Sequence, residues 1–599
     1  MAEEFVILGG GIAGVSAALE LADKGHKVTI IERFDELLSG SSDDTPCRLG
    51  LGFHYIDIET AKKYLRSTIK VLRQYPKYVV GHNLPLTHPY RRGRYFVVND
   101  TQFQLGKVLG LHDALKEEYA TLINEDSANR VLGDPEYFST ILPLDKYQAT
   151  VNAQRVVAAL ETAEQTLDWP KLKKHLIEKV DHHPNITVSR DTTVLGFTAG
   201  KNSRYDITVT PTRNPKESSV IEKVIQANFV VNSTWENIEK LNLTAGHPMQ
   251  PNSRTNRTKV MIEIELPSNF AMSPTATLPE TKDFPNSDKQ PTVTNSTSSS
   301  SSHSTGNEPK TALSHAMFFC FGAHAAFTPI GKNKAFISYE PVTNVKDNNG
   351  IEQQTTGYEV SEFSKRLLAG QATDEEKEEY GQKVLAGIIQ YIPGLAGSKV
   401  VGARFGNVRT AGTVDISDPN SPHHKRDKDC IETLEVGTII NPSMKLLYFI
   451  EGAKKLLELT EQQIAATEII RDAIQNSTVS TNPHLASVVS HALDRSLDPN
   501  PAKLLPQKAI GAKTETLAKK DVTLAITSAI NAKRRVTAEL IKKPDIAPMK
   551  EDKSTISSTL TFFHANSSTR NSATSSSTSS SSFVCTSPPS SQHTKKMIR

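Results

Sequence analysis

Several things are scarce in this chain, and each scarcity excludes something. Cysteine is one: the 599 residues hold four, Cys47, Cys320, Cys430 and Cys585, far apart and without a CxxC pair. That argues against a disulfide framework and against a zinc site, and it fits a reducing compartment. Charge of one sign is another. Lys plus Arg number 69 against 66 Asp plus Glu, a net charge of +3, so no broad electrostatic field marks a nucleic-acid binder or a membrane-surface protein. No apolar run approaches the ~20 residues of a membrane-spanning helix. The opening "MAEEF" is acidic and lacks the basic region and apolar core of a secretory signal. A cytoplasmic location is therefore expected. The histidine pairs His182-His183 and His423-His424 have no third ligand at a metal-site spacing, so no metal is expected. The chain is too long for one hydrophobic core, and two structured domains with appendages are the natural expectation.

What is present begins at once. "FVILGGGIAGVSAALELADKGHKVTIIER" has an apolar strand at Phe5 to Leu8 and helical spacing at Ile12, Val15, Leu19 and Ala22. A second apolar, β-branched strand follows at Val28 to Ile31. The glycines sit at the first strand–helix turn. Gly9, Gly11 and Gly14 form GxGxxG: the first permits a sharp turn, the second lets a pyrophosphate approach the backbone, and the third lets the helix pack against the strand. The free N–H groups at the helix start, with Ile12 and Ala13 among them, favour phosphate. Glu32 ends the second strand, where a carboxylate can accept both ribose hydroxyls, and Arg33 follows it. This pattern predicts a dinucleotide site. It does not separate FAD from NAD, although Glu32 disfavours the extra phosphate of NADP.

The next stretch, "RFDELLSGSSDDTPCRLGLGFHY", replaces the regular strand–helix alternation of a simple nicotinamide dehydrogenase with a small-polar loop. Here the chain resembles the FAD-dependent oxidoreductases of the D-amino-acid oxidase and sarcosine oxidase type, in which a "GSS…R…G" segment passes along the flavin. Ser41, Ser42 and Arg48 match its residue types, and "GFHY" (with His54) resembles a segment of some members. Later segments follow in the same order. "TVLGF", with Val194, resembles the strand whose backbone meets the adenine. "ANFVVNSTWENIEKLN" resembles the strand ending in small residues beside the cofactor, with Thr234 there and Trp235 where the family often has glycine. "GARFGNVRTAGTVDISDP" and "GTIINPSMKLLYFIEGAKKLLEL" resemble the late segment and the closing helix. Met444-Lys445 stands where sarcosine oxidases carry an aromatic-Lys pair whose lysine meets the substrate carboxylate. The likeness covers roughly residues 5 to 458, with gaps.

The resemblance implies FAD as cofactor and an α/β fold: a Rossmann-like, discontinuous FAD-binding domain of the glutathione-reductase type, with an antiparallel-sheet substrate domain and a C-terminal helical appendix. The FAD-binding domain is expected over 1–80, 150–250 and 400–458, and the substrate domain over 81–149 and 251–399. "RRGRYFVVND" has alternating strand character, "RTKVMIEIELP" alternates as a half-buried strand, and residues 316–342 supply two more with a turn at Gly331-Lys332-Asn333. Residues 268–310, rich in proline and serine, read as a disordered insertion, and 545–599 as a disordered Ser-rich tail. Between lies the appendix, 459–544. Thr460 with Gln463 reads as a capping box for a helix that carries Ile464, Ile470 and Ile474 and either extends or follows the closing helix. The appendix either docks a protein partner or a second copy, or packs on its own chain.

Four residues carry the catalytic expectation, each with an open alternative. Arg48 contacts substrate or flavin O2, or makes a surface salt bridge. His54 touches the flavin, or faces the core beside Tyr55. Arg404 binds a substrate carboxylate bidentately, or pairs with Asp415. Lys445 sits near the flavin N1–C2=O, where negative charge develops on reduction, or faces solvent. By resemblance the reaction is hydride transfer to flavin N5 from a small amine, amino acid or hydroxy acid. The rival reading is a low-turnover flavoprotein scaffold that binds a partner through its insertion and C-terminal helices.

Overall fold

A strand that is buried on both faces must be apolar throughout, and β1 (Glu4–Leu8) is buried from Phe5 onward. In the computed structural model it lies at the centre of a six-stranded sheet. On one side it pairs in parallel with β2 (Lys27–Ile31), Phe5 opposite Val28 and Ile7 opposite Ile30. On the other it pairs in parallel with Phe229–Asn232. Ile186–Ser189 continues the sheet beyond β2, Thr438–Ile440 continues it beyond Phe229–Asn232, and Glu432–Glu435 closes that edge antiparallel. Sheet neighbours thus come from residues 4, 27, 186, 229 and 438, so the chain leaves this layer and returns to it repeatedly. The helix α1 (Ile12–Asp23) buries Ile12 to Leu19 together with Leu21 and Ala22, because it packs against the sheet and against the long helix Phe449–Gln475. Its small residues Ala13, Gly14, Ala17 and Ala18 permit that double packing.

The structure describes residues 2–200, 204–212, 222–248, 254–268, 270, 315–321, 325–331, 333–348, 361–412, 421, 425, 431–435, 437–442 and 445–475. All lie in the first of two units of the chain, Met1–Arg534. Met444, Asp415, His423, His424, the helical pattern at 512–543, the Ser-rich tail and nearly all of the insertion 268–310 lie outside the described residues.

A small antiparallel sheet, Thr192–Ala199, Tyr205–Pro211 and Lys223–Ala227, follows Ile186–Ser189 and leads into Phe229–Asn232. Its Phe197, Tyr205, Ile207 and Val209 pack on Val6, Leu8, Ile31 and Val230 of the parallel sheet.

The second layer is a nine-stranded sheet, antiparallel except where Ala316–Cys320 runs parallel to Gly93–Val98. Its longest members are Arg254–Glu265 and Lys399–Ala411, which pair from Arg254↔Ala411 to Glu265↔Lys399. The alternation at Val260, Ile262, Ile264 and Leu266 places those four in a core with Phe319, Phe327 and the helix Asp374–Ile389. Val156–Thr162 and Lys399–Ala411 also pair in this sheet, although they fall in segments expected to belong to the FAD-binding domain. Gly93–Val98 is a strand buried on both faces, because it runs between Val156–Thr162 and Ala316–Cys320. Two further expectations need correction. Residues 316–342 hold three strands, Ala316–Cys320, Ala325–Gly331 and Lys334–Tyr339, and Gly331 and Asn333 take positive φ at the turn between the last two. Thr460 caps nothing: it lies inside Phe449–Gln475, and its hydroxyl donates to the Leu456 carbonyl at 2.8 Å. The apolar spacing from Ile450 through Leu456 and Leu457 to Ile464 carries the helix past 460 with no breaker.

Candidate active site

The carboxyl end of β1 is where the chain must turn without a side chain. Gly9 adopts φ +95°, and a Cβ there would lie 2.8 Å from the Ser233 carbonyl oxygen. At Gly14 a Cβ would stand 2.0 Å from the Gly9 carbonyl oxygen, so that glycine allows α1 to press onto the turn. A Cβ at Gly11 would meet only Ser42 Oγ, at 3.3 Å, and the space beyond is a cavity of about 710 Å³. The Ile12 N–H donates to Ser42 Oγ at 2.9 Å, and Ser41 Oγ accepts from the Asn407 N–H of the second sheet at 3.1 Å. The small-polar loop is therefore pinned between helix start and second sheet.

Glu32 is buried where β2 ends. It accepts from the Gly10 N–H at 2.7 Å and the Phe34 N–H at 3.0 Å. Burial raises its pKa, and those two N–H donors oppose the rise. Each carboxylate oxygen keeps a second acceptor site for a hydroxyl. Arg33 pairs with Glu236 at 2.6 Å and lies over the Phe34 ring. Val194 and Thr234 line the same cavity. Thr234 Oγ1 donates to Asn232 Oδ1 at 2.7 Å. Trp235 adopts φ +57°, the left-handed conformation that favours glycine. Its indole N–H donates to the Asn407 carbonyl at 2.7 Å, so a tertiary bond holds a backbone state that costs about 1–3 kcal/mol.

The second sheet supplies the far wall. Arg48, on Arg48–Leu49, is no surface residue. Its guanidinium donates to Glu164 and, at 2.8 Å, to Tyr95 Oη, and lies 4.6 Å from the Phe318 ring centroid; Tyr95 in turn donates to Glu164. Burial works against the Arg48 charge, yet Glu164 and Tyr95 hold its pKa above the usual arginine value. His54 lines the cavity with its ring 4.1 Å from that of Tyr55 and 5.6 Å from that of Phe318. Lys445 precedes the turn Leu446–Tyr448, with Nζ 5.8 Å from the Tyr55 ring centroid. Arg404 reaches the cavity at 42% side-chain exposure. It lies near the Asp43 carbonyl (3.4 Å) and Glu263 (3.8 Å). The Cys47 thiol is pushed up to about 12 by burial, which makes it inert at neutral pH.

Residues 4–250 match the family model DAO, FAD dependent oxidoreductase. Over that stretch the chain is similar to this family. A curated relative, the FAD-dependent monooxygenase kojA of Aspergillus flavus, is 35% identical over 77 residues, 13% of this chain and 18% of that protein; its Aspergillus oryzae counterpart matches equally. The chain thus spans less than a fifth of these relatives. Among solved structures, glycine oxidase from Geobacillus kaustophilus is 13% identical, with 77% of this chain and 95% of that chain covered and a TM-score of 0.45. L-Proline dehydrogenase from P. horikoshii is 16% identical, with 77% and 93% covered and a TM-score of 0.44.

FAD is the cofactor of this family, and the residues present fit it. Gly11 leaves a cradle that a side chain would fill, and the Ile12 N–H already donates to an oxygen, that of Ser42, where a phosphate oxygen could take its place. The buried Glu32 faces the same cavity as this cradle. Glu32→Ala is expected to weaken FAD retention by about 1–3 kcal/mol, because it strands the Gly10 and Phe34 N–H groups along with the ribose hydroxyls. Fluorescence titration of the apoprotein with FAD measures the change, and an unchanged affinity would overturn the ribose assignment.

Sequence reasoning missed several residues in and around the cavity. Glu164 and Tyr95 lie 116 and 47 positions from Arg48, and no local spacing connects the three. Asp44 was passed over inside the polar loop; burial and the neighbouring Asp43 raise its pKa to about 7. Arg257 and Lys259 did leave a signal. They alternate with Val260 and Ile262 in "RTKVMIEIEL", which sets them on the face opposite the core.

Proposed function

We propose that the protein oxidises a small amine, amino acid or hydroxy acid, with FAD bound along Gly9, Gly11, Ile12, Ala13, Gly14, Glu32, Arg33, Ser41, Ser42, Val194 and Thr234. One observation carries this reading: a single cavity is lined both by the glycine-turn cradle with Glu32 and by the cationic side chains Arg48, Arg257, Lys259, Arg404 and Lys445. FAD, when bound, supplies a hydride acceptor at flavin N5.

The chain's own groups then have defined tasks. Arg48, immobilised by Glu164 and Tyr95, presents a fixed positive charge without further ordering cost. Lys445 supplies a second cation from the start of the closing helical segment. Arg404, partly exposed, engages a substrate carboxylate. Tyr55, Tyr64, Phe318 and Phe336 make apolar walls that exclude water and strengthen each of these interactions, and His54 packs among three of them. The scaffold alternative drew on the insertion and the C-terminal segments. These lie outside the described residues apart from the start of the appendix, which continues the helix Phe449–Gln475.

The test is the visible spectrum of the purified holoprotein under anaerobic addition of amino acids, secondary amines and 2-hydroxy acids. Bleaching of the flavin band by one class is the expected result. A yellow protein that none of them bleaches would favour the scaffold. No helix among the described residues is long and apolar enough to cross a membrane, so detergent-free preparation is the starting condition.

A further inference from the structure

The cavity wall holds a cation whose charge is poorly supported. Lys259, on Arg254–Glu265, places Nζ 2.7 Å from each oxygen of Glu340, which follows the strand Lys334–Tyr339. Arg257 Nη2 is 2.8 Å from the same Glu340 Oε1. One carboxylate is thus shared by two cations, and all three side chains line the cavity together with Lys445. Arg257 is 1% exposed, and its guanidinium is the second cation on that carboxylate. With Lys259 charged the trio carries +1; with Lys259 neutral it carries zero, which partial burial favours.

We infer that Lys259 is the proton acceptor of the site, taking a proton from the substrate's ammonium group before its C–H bond is cleaved. This rests on the oxidoreductase reading, in its amine and amino-acid branch. The step balances simply: an N–H bond of the ammonium breaks, an N–H bond forms at Lys259 Nζ, and the substrate nitrogen keeps its lone pair. That lone pair is what cleavage of the neighbouring C–H bond requires.

The charged neighbours support the assignment. Glu340 favours the protonated lysine, while burial, Arg257 and Lys445 oppose it, and the balance moves Lys259 from its ordinary value down to about 8. From the adjoining strand Lys399–Ala411, Arg404 stands opposite Met261 and adds a further cation, with the half-buried Asp44 beside Gly406 as the counterweight. Lys346, on Asn344–Asn348, pairs in register with Thr258, whose hydroxyl bonds Ser364. Glu340 positions Lys259, since its two oxygens fix the amine's place on the wall.

Two measurements on the holoenzyme test this. Competitive trace acetylation with acetic anhydride between roughly pH 6 and 11, read peptide by peptide with the exposed Lys346 as reference, should report Lys259 titrating about two pH units below the ordinary lysine value. A Lys259 that titrates with Lys346 overturns the inference. The pH dependence of anaerobic flavin bleaching, with glycine, sarcosine, L-proline and D-alanine as probes, should rise with pH through that same low value. In Lys259→Met the rise should move to the probe's own ammonium pKa, with bleaching at pH 7.5 slowed by roughly 100-fold or more. Lys259→Arg, which keeps the charge but cannot release its proton, should behave like Lys259→Met. If it retains the wild-type profile, Lys259 acts only as a charge and the inference falls. A wild type that no probe bleaches overturns the amine-oxidising reading and this role with it. A bleached wild type whose profile Lys259→Met leaves unchanged overturns this role alone.

Discussion

Gly11→Val is expected to give a folded protein that purifies without FAD. The Gly11 backbone is extended at φ −69°, ψ −179°, so a β-branched residue is tolerated there, and its Cβ meets only Ser42 Oγ in the free protein. Its side chain would instead fill the cradle where phosphate oxygens approach the Ile12 N–H. Losing even one charge-assisted hydrogen bond there costs about 1.5–3 kcal/mol, so displacing the pyrophosphate should raise the FAD dissociation constant by roughly 100-fold or more. Gly14→Ala is the contrasting control, because its Cβ would lie 2.0 Å from a backbone oxygen and must push α1 off β1. The two variants separate loss of cofactor from loss of fold: circular dichroism should be native for Gly11→Val and altered for Gly14→Ala. A yellow Gly11→Val protein at wild-type flavin stoichiometry would show that the cofactor's phosphates lie elsewhere.

Arg409→Ala is expected to lower stability by about 3–5 kcal/mol, the cost of stranding one member of a buried ion pair. Arg409, on Lys399–Ala411, pairs with Glu239 of the helix Ile238–Thr244; their side chains are 1% and 0% exposed, and Nε donates to Glu239 Oε1 at 2.9 Å. Removing the guanidinium leaves a carboxylate in a place that water does not reach. The pair ties the nine-stranded sheet to the helix that follows Phe229–Asn232, so its loss should loosen the junction between the two layers. Glu239→Leu combined with Arg409→Leu removes both charges and should recover most of the loss, which distinguishes an unpaired charge from lost packing. Urea melts of the three proteins measure this. A single variant within about 1 kcal/mol of wild type would show that the pair contributes no more than an exposed one.

The strand–glycine turn–helix–strand unit was legible because its physics is local. A strand, a turn needing positive φ at Gly9, a helix with free N–H groups and an acid one strand later all fall within 28 residues, Phe5 to Glu32, and each has a residue type that the backbone demands. The strand at Arg257 to Leu266 was legible for the same reason, since a period of two survives without knowledge of the partners. The helix at 449–475 was misjudged at Thr460 because a Thr-x-x-Gln pattern looks alike at a helix start and in a helix interior. Only the continuity of apolar packing decides between them.

The amino-acid order alone determined the α/β class, the glycine turn between β1 and α1 and the family resemblance, since these rest on backbone conformations that neighbouring residues impose. It also determined that Glu32 would end β2 and that Arg48 would follow the polar loop. Only the tertiary structure decided that Arg48 is held by Glu164 and Tyr95, that Trp235 occupies a left-handed position through its bond to Asn407, and that Lys259 shares Glu340 with Arg257. Each of these joins residues tens to hundreds of positions apart. Burial and proximity across sheets fix their charge states, and neither quantity exists until the chain has closed on itself.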